Sequence, residues 1–177
     1  MLYSGGSQGK KWTRFPKFEY NSYFYVSKNY WDAVCFIPKQ SITLMGFGWL
    51  NQYEKQSFNL TFKIIVDSTE YPECKVDITQ DMLEEPKPED LSKNTFLIDL
   101  EKTGGQHIDV QAGQKIHLLA KTSRENQNDV RFYYGYDGYH PEKIEGQDYD
   151  FDVEYSDHNS NSSSKDFGQY PYIFYSK

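Results

Sequence analysis

Apolar and polar side chains alternate most clearly over Phe58–Val66. Apolar residues stand at 58, 60, 62, 64 and 66, with polar ones at 59, 61 and 63, which predicts a strand buried on one face. Ser41–Leu50 predicts a second strand with Gly46 and Gly48 on the same face. Glycine inside a strand marks a bulge or a close backbone approach. Shorter runs predict strands at 23–26, 33–37, 95–100, 115–121, 130–136, 149–155 and 170–175. Pro38, Gly104-Gly105, Ala112-Gly113 and Asp137-Gly138 fall between them as turn signals. Short strands with such breaks predict an all-β chain, folded as an antiparallel two-sheet β-sandwich rather than as alternating strands and helices.

Three stretches break the pattern. Residues 1–11 are rich in Gly, Ser and Lys and read as a flexible tail or linker ahead of one domain over 12–177. Asp81–Ser92 is acidic and holds Pro86 and Pro88, so it reads as a loop with one helical turn near Asp81–Glu85. Ser156–Lys165 is a polar excursion between two strands.

Composition agrees with the strand reading. The 177 residues include 16 Tyr, 12 Phe and 3 Trp, against three alanines, the best helix formers. Mean hydropathy is low at -0.82, but each buried ring removes ~150–250 Å² from water, enough for a core. Phe36, Phe47, Phe58, Phe62, Phe96, Phe151 and Phe174 lie on strand patterns and are the expected filling. With 16 Lys to 3 Arg and few Ala, the tyrosine excess also fits an AT-rich genome, so abundance alone does not signal function.

Charge narrows the partners. A net charge of -7 and a pI near 5.1 argue against nucleic acid. Residues 1–30 carry +4, leaving -11 for the rest. This basic lead-in is expected to be a solvated arm, with docking of 10–17 on an acidic surface as the functional alternative. No 18-residue apolar stretch and no signal-peptide core are present, so the expectation is no membrane and a cytoplasmic location. Cys35 and Cys74 are too few for a disulfide framework, and Cys35 reads as a small hydrophobe in the run Ala33–Ile37.

Little chemistry stands out. Gly5–Lys11 imitates a phosphate loop, but Ser4 and Lys11 replace the required glycine and hydroxyl residue. Asp148, Asp150, Asp152 and Glu154 share one strand face. The first three are weak calcium candidates, because same-face neighbours lie ~7 Å apart on a strand. The favoured reading is a solvated face, with no metal and no cofactor. His107, His117, His140 and His158 show no ligand spacing, and no serine sits in a nucleophile elbow, so no enzyme is expected. Tyr133, Tyr134, Tyr136 and Tyr139, with Arg131 and two glycines, have the residue types of binding hot spots. Alternate tyrosines capping a sandwich edge would give the same pattern, and both readings stand.

Several segments then fall in a familiar order. Arg14-Phe15, Asp32-Ala33-Val34-Cys35-Phe36 and Ile42–Leu50 resemble the start of the PHR domain. That is the jelly-roll-related β-sandwich module of Highwire-type giant ubiquitin ligases and of certain BTB adaptor proteins. Gly168–Tyr175 resembles its closing strand and Arg131–Gly138 its Gly-containing tyrosine segment, so the likeness spans about 12–176. The chain departs from the pattern at Trp49-Leu50-Asn51, in the acidic 81–90 loop and in the 156–165 insertion. The resemblance implies a non-catalytic domain that holds partner proteins, in some relatives by recruiting substrates to a ubiquitin ligase. No BTB, BACK or RING segment lies within these residues, so a ligase role would require sequence outside them.

The expectation is therefore a protein–protein interaction domain of a larger adaptor or scaffold. Its expected anchors lie in loops around 49–56 and 131–140: Trp49, Tyr53, Arg131, Tyr134, Tyr136 and Tyr139. The alternatives are a structural subunit docked in a large assembly, cytoskeletal or other, and a carbohydrate- or calcium-binding sandwich.

Overall fold

The structure, a computed structural model, describes residues 9–52, 54, 56–82, 95–127, 129–136, 138, 144–161 and 163–177, apart from the side chains of 20 and 21. Its strands are β1 (Lys10–Thr13), β2 (Lys17–Ser27), β3 (Asp32–Pro38), β4 (Ile42–Leu50), β5 (Phe58–Val66), β6 (Thr69–Glu70) and β7 (Cys74–Ile78). They continue with β8 (Thr95–Asp99), β9 (Ile108–Val110), β10 (Ile116–Ser123), β11 (Asp129–Tyr136), β12 (Phe151–Tyr155) and β13 (Tyr172–Ser176).

One sheet runs β1-β13-β4-β8, with β9 continuing the β8 edge along β4. The other runs β12-β3-β10-β5-β6, with β7 also on β5. A third piece, the two-stranded ribbon β2–β11, turns Phe24, Val26, Val130 and Phe132 into the core between the sheets. All the pairings are antiparallel, and the fold is the expected sandwich.

The 58–66 alternation is realised. Phe58, Leu60, Phe62, Ile64 and Val66 are buried in the main core, while Asn59 is exposed. Gly46 and Gly48 mark the close approach their pattern predicts. A Cβ on Gly46 would strike the Ile98 carbonyl of β8, and one on Gly48 the Tyr172 ring of β13. These glycines let the neighbouring strands lie flush against β4.

Four short strands were not expected: β1, β6, β7 and β9. β1 changes the reading of the N-terminal arm. Lys10, Lys11, Trp12 and Thr13 pair with Tyr175, Phe174, Ile173 and Tyr172, and Trp12 is buried. Residues 10–13 are thus a sheet edge rather than a free arm, and the tail reading fails at Lys10. Two core expectations also shift, since Phe96 and Phe174 are only partly buried. The expected helical turn is a 3₁₀ turn at Gln80–Met82. The remainder of that acidic loop, 83–94, lies outside the described residues.

Arg14 and Asp32 organise the segment that crosses from β12 back to β13. Arg14 is fully buried, and its guanidinium donates to five carbonyls. Nε reaches Tyr170 (3.0 Å), Nη1 reaches Ser164 (2.7 Å) and Lys165 (3.4 Å), and Nη2 reaches Gln169 (2.6 Å) and Phe167 (3.4 Å). Asp32 accepts from the Ser163 backbone N–H (3.1 Å), the Ser163 hydroxyl (2.6 Å) and the Asn161 amide (2.9 Å). The Tyr170 hydroxyl donates to the Asp32 carbonyl at 2.5 Å. Burial pulls the Arg14 pKa from 12.5 down to about 9, against the pull of Asp32, and raises that of Asp32 despite its hydrogen bonds. Phe15 packs over Gly135, where any Cβ would overlap its ring. The residues that resemble the PHR pattern thus meet in one buried clasp.

Candidate functional site

Strand period 2 sends alternate residues of the β2–β11 ribbon outward. While Phe24 and Val26 enter the core, Tyr23 and Tyr25 remain 38% and 49% exposed, and their rings meet edge to face at 5.2 Å. Arg131, opposite Tyr25 in register, lies over Tyr23 with its guanidinium 5.0 Å from the ring centroid. It also forms an ion pair with Glu54, which receives Arg124 at 3.1 Å. Hydrogen bonds from Tyr25 and Arg131 lower the Tyr23 pKa below its ordinary value, and that of Tyr25 rises correspondingly.

The ribbon is irregular in the middle. Phe132 pairs with Phe24, yet Tyr134 pairs with Glu19, so extra residues of β2 bulge out. Beside the bulge lies a groove of about 430 Å³, lined by Glu19, Tyr23, Phe24, Tyr134, Tyr136, Asp166 and Phe167. Phe24, Tyr134 and Phe167 pack against one another with centroids 6.0–6.4 Å apart. Tyr136 stands 37% exposed, with the Lys17 ammonium 5.8 Å from its ring centre. Glu19 and Asp166 bring carboxylates to the same groove.

The structure sorts the expected anchors. Arg131, Tyr134 and Tyr136 come together on this ribbon. Trp49 does not, because it ends β4 fully buried, with its ring edge to face on Phe132 (5.4 Å) and Tyr170 (5.3 Å). It is a core residue, and its assignment as a surface anchor is corrected. Tyr53 and Tyr139 lie outside the described residues. Tyr23 and Tyr25 were missed, although their i, i+2 spacing beside buried Phe24 and Val26 is the signal of an exposed strand face.

The calcium candidates are also redistributed. Asp150 accepts from the Tyr175 hydroxyl and receives Lys177 at 3.2 Å. Asp152 faces Lys39 at 3.7 Å, and Glu154 faces Lys115 at 3.2 Å. The expected common strand face is not formed, because β12 begins at Phe151 and Asp148 and Asp150 precede it. Lysines at the ends of β3, β10 and β13 pair with Asp152, Glu154 and Asp150, and Asp148, Asp150 and Asp152 do not gather around a point. Among the described residues, His117, Asp157 and His158 are the potential metal ligands that do converge. Burial and the neighbouring His158 lower the His117 pKa.

These features define an antiparallel β-sandwich whose most distinctive surface is aromatic. The chain belongs to the PHR domain family, whose model matches residues 13–176, nearly its whole length. The family is one of non-catalytic protein-interaction modules. A comparison with the curated proteins finds no match.

Proposed function

We propose that this domain holds a partner protein on the aromatic groove of the β2–β11 ribbon, as the recruiting module of a larger adaptor. Recruitment of substrates to a ubiquitin ligase is the specific form of that role. The carrying observation is a groove walled by exposed Tyr23 and Tyr136 over Phe24, Tyr134 and Phe167, with exposed Tyr25 and Arg131 packed against Tyr23. Tyrosine and arginine supply large contact areas with a polar end, the chemistry of interface hot spots. Asp166 in the groove lining favours a partner segment that carries Lys or Arg beside its apolar side chains.

The test is affinity capture with the full chain and with Tyr25→Ala, Tyr136→Ala and the double variant, each checked for an unchanged melting temperature. A partner held by the wild type and lost by the double variant supports the groove. Partners retained by all three variants refute it. A glycan panel on the same proteins separates the carbohydrate reading, which would place a stacked sugar on these rings.

A further inference from the structure

We propose that His117, Asp157 and His158 form a binding site for a divalent transition-metal ion of the zinc class, on the outer face of the six-stranded sheet. Each residue offers one ligand atom, and the three atoms lie within 4.8 Å of one another.

The register of the sheet fixes the first ligand. On β10, Ile116 and Leu118 point into the core, so His117 points outward, opposite Cys35 of β3 and Ile65 of β5. It is not a solvated surface histidine, because only 6% of it is exposed. The cover is the segment that leaves β12. Ser156 is buried beneath it, and its hydroxyl lies 2.7 Å from His117 Nδ1. That contact occupies one ring nitrogen and leaves Nε2. An outer hydrogen bond that fixes the ring of a histidine ligand is the usual companion of a metal site.

The same serine positions the other two ligands. Its hydroxyl accepts from the His158 backbone N–H (3.3 Å), and its carbonyl accepts from the Asn159 N–H (3.1 Å), closing a tight turn. The turn is pinned to the sheet, since the Asn159 side chain accepts from the Ala33 N–H at 2.9 Å. Asp157 and His158 are thereby carried over His117. The two imidazole rings meet edge to face at 4.7 Å, and His158 Nε2 lies 3.6 Å from Asp157 Oδ1.

Ligand atoms around tetrahedral zinc stand roughly 3.4 Å apart, given bonds of ~2.0–2.1 Å. The closure still required falls on the two exposed side chains, His158 (39%) and Asp157 (85%), which swing without disturbing the sheet. Two imidazoles and one carboxylate suit zinc, cobalt, nickel or copper and disfavour calcium and magnesium, which take oxygen donors. A bound ion would tie the segment after β12 to the central strand of the sheet.

The experiment is a thermal melt and a calorimetric titration of the full chain with Zn²⁺, alongside Ca²⁺ and Mg²⁺, with Co²⁺ absorption as a spectroscopic report of nitrogen ligation. At free Zn²⁺ a hundredfold above its dissociation constant, the melting temperature should rise by about 5–10 °C. The shift and the cobalt spectrum should disappear in His158→Ala and weaken in Asp157→Asn. Both should persist in His107→Ala and Cys74→Ser, which remove metal-binding groups elsewhere. If alanine at 158 alters the unliganded melt, His158→Gln keeps the turn and replaces it in the comparison. No zinc shift in the wild type, an equal shift with calcium, or a shift that survives loss of the His158 imidazole overturns the site.

Discussion

Gln169 is the side chain on which the junction of sheet and ribbon depends most directly. It is fully buried, its Oε1 accepts the Leu50 N–H at 2.9 Å, and its Nε2 donates to the Tyr133 carbonyl at 2.7 Å. It therefore joins the end of β4 to β11 through the core. Gln169→Ala removes both partners and leaves a space, and each buried backbone group left unpaired costs ~1–3 kcal/mol. The expected loss is ~3–5 kcal/mol. With a urea m-value of roughly 2–3 kcal/mol/M, the unfolding midpoint should fall by about 1–2.5 M, followed by fluorescence of buried Trp12 and Trp49. Gln169→Glu keeps the acceptor for Leu50 but turns an oxygen toward the Tyr133 carbonyl. It should be nearly as damaging at pH 7 and should recover toward acid pH, where a protonated carboxyl can donate. A Gln169→Ala stability loss of less than about 1 kcal/mol, or a Glu variant equal to wild type at pH 7, would refute the assignment.

Arg14→Met should cost ~3–5 kcal/mol, because it removes the donors to five carbonyls and leaves Asp32 buried without its cation. Arg14→Lys should not rescue it in the same denaturant series, since a compact ammonium cannot span that fan of acceptors. Trp49→Ala should lower stability by ~3–5 kcal/mol in a urea titration, whereas an exposed anchor would leave the midpoint unchanged. Acid should weaken the fold through carboxyls held below their ordinary range. The Lys115 N–H and the Gln114 amide lower Asp67, and in Asp150 burial is outweighed by the Tyr175 hydroxyl and Lys177. Their contribution is complete above the unfolded carboxyl pKa near ~3.9 and disappears as pH falls below it. Urea midpoints measured from pH 6 to pH 3 should show that decline, less steep in Asp67→Asn.

The strands that carry the core were legible because one face of each meets the other sheet, so period 2 is written directly into 58–66 and 42–50. The short edge strands β6, β7 and β9 were not, since two to five residues give alternation too little room. β1 was obscured by composition, because Lys10 and Lys11 look like a tail when only Trp12 enters the core. The aromatic ribbon was half legible. Arg131, Tyr134 and Tyr136 stood in one segment, but their partners Tyr23 and Tyr25 lie more than a hundred residues away. Trp49 was misread because exposure depends on what packs over a strand end, and Phe132 and Tyr170 arrive from distant segments. His117 and His158 are 41 positions apart, so only the turn anchored by Ser156 reveals that they meet.

The position of β13 bears on how this protein is made. The last strand lies between β1 and β4, and the residues just before it supply Gln169 and Tyr170 to the interior and five carbonyl acceptors to Arg14, 150 to 156 positions earlier. A chain emerging from the ribosome therefore displays the β1 edge, the flank of β4 and a buried arginine without its acceptors until almost all of residues 1–176 are out. Pairings this far apart in sequence are slow to form. Synthesis thus passes through a long interval in which an aromatic-rich half-sandwich is exposed, and chaperone demand should be set by the time needed to reach β13 rather than by the stability of the finished fold.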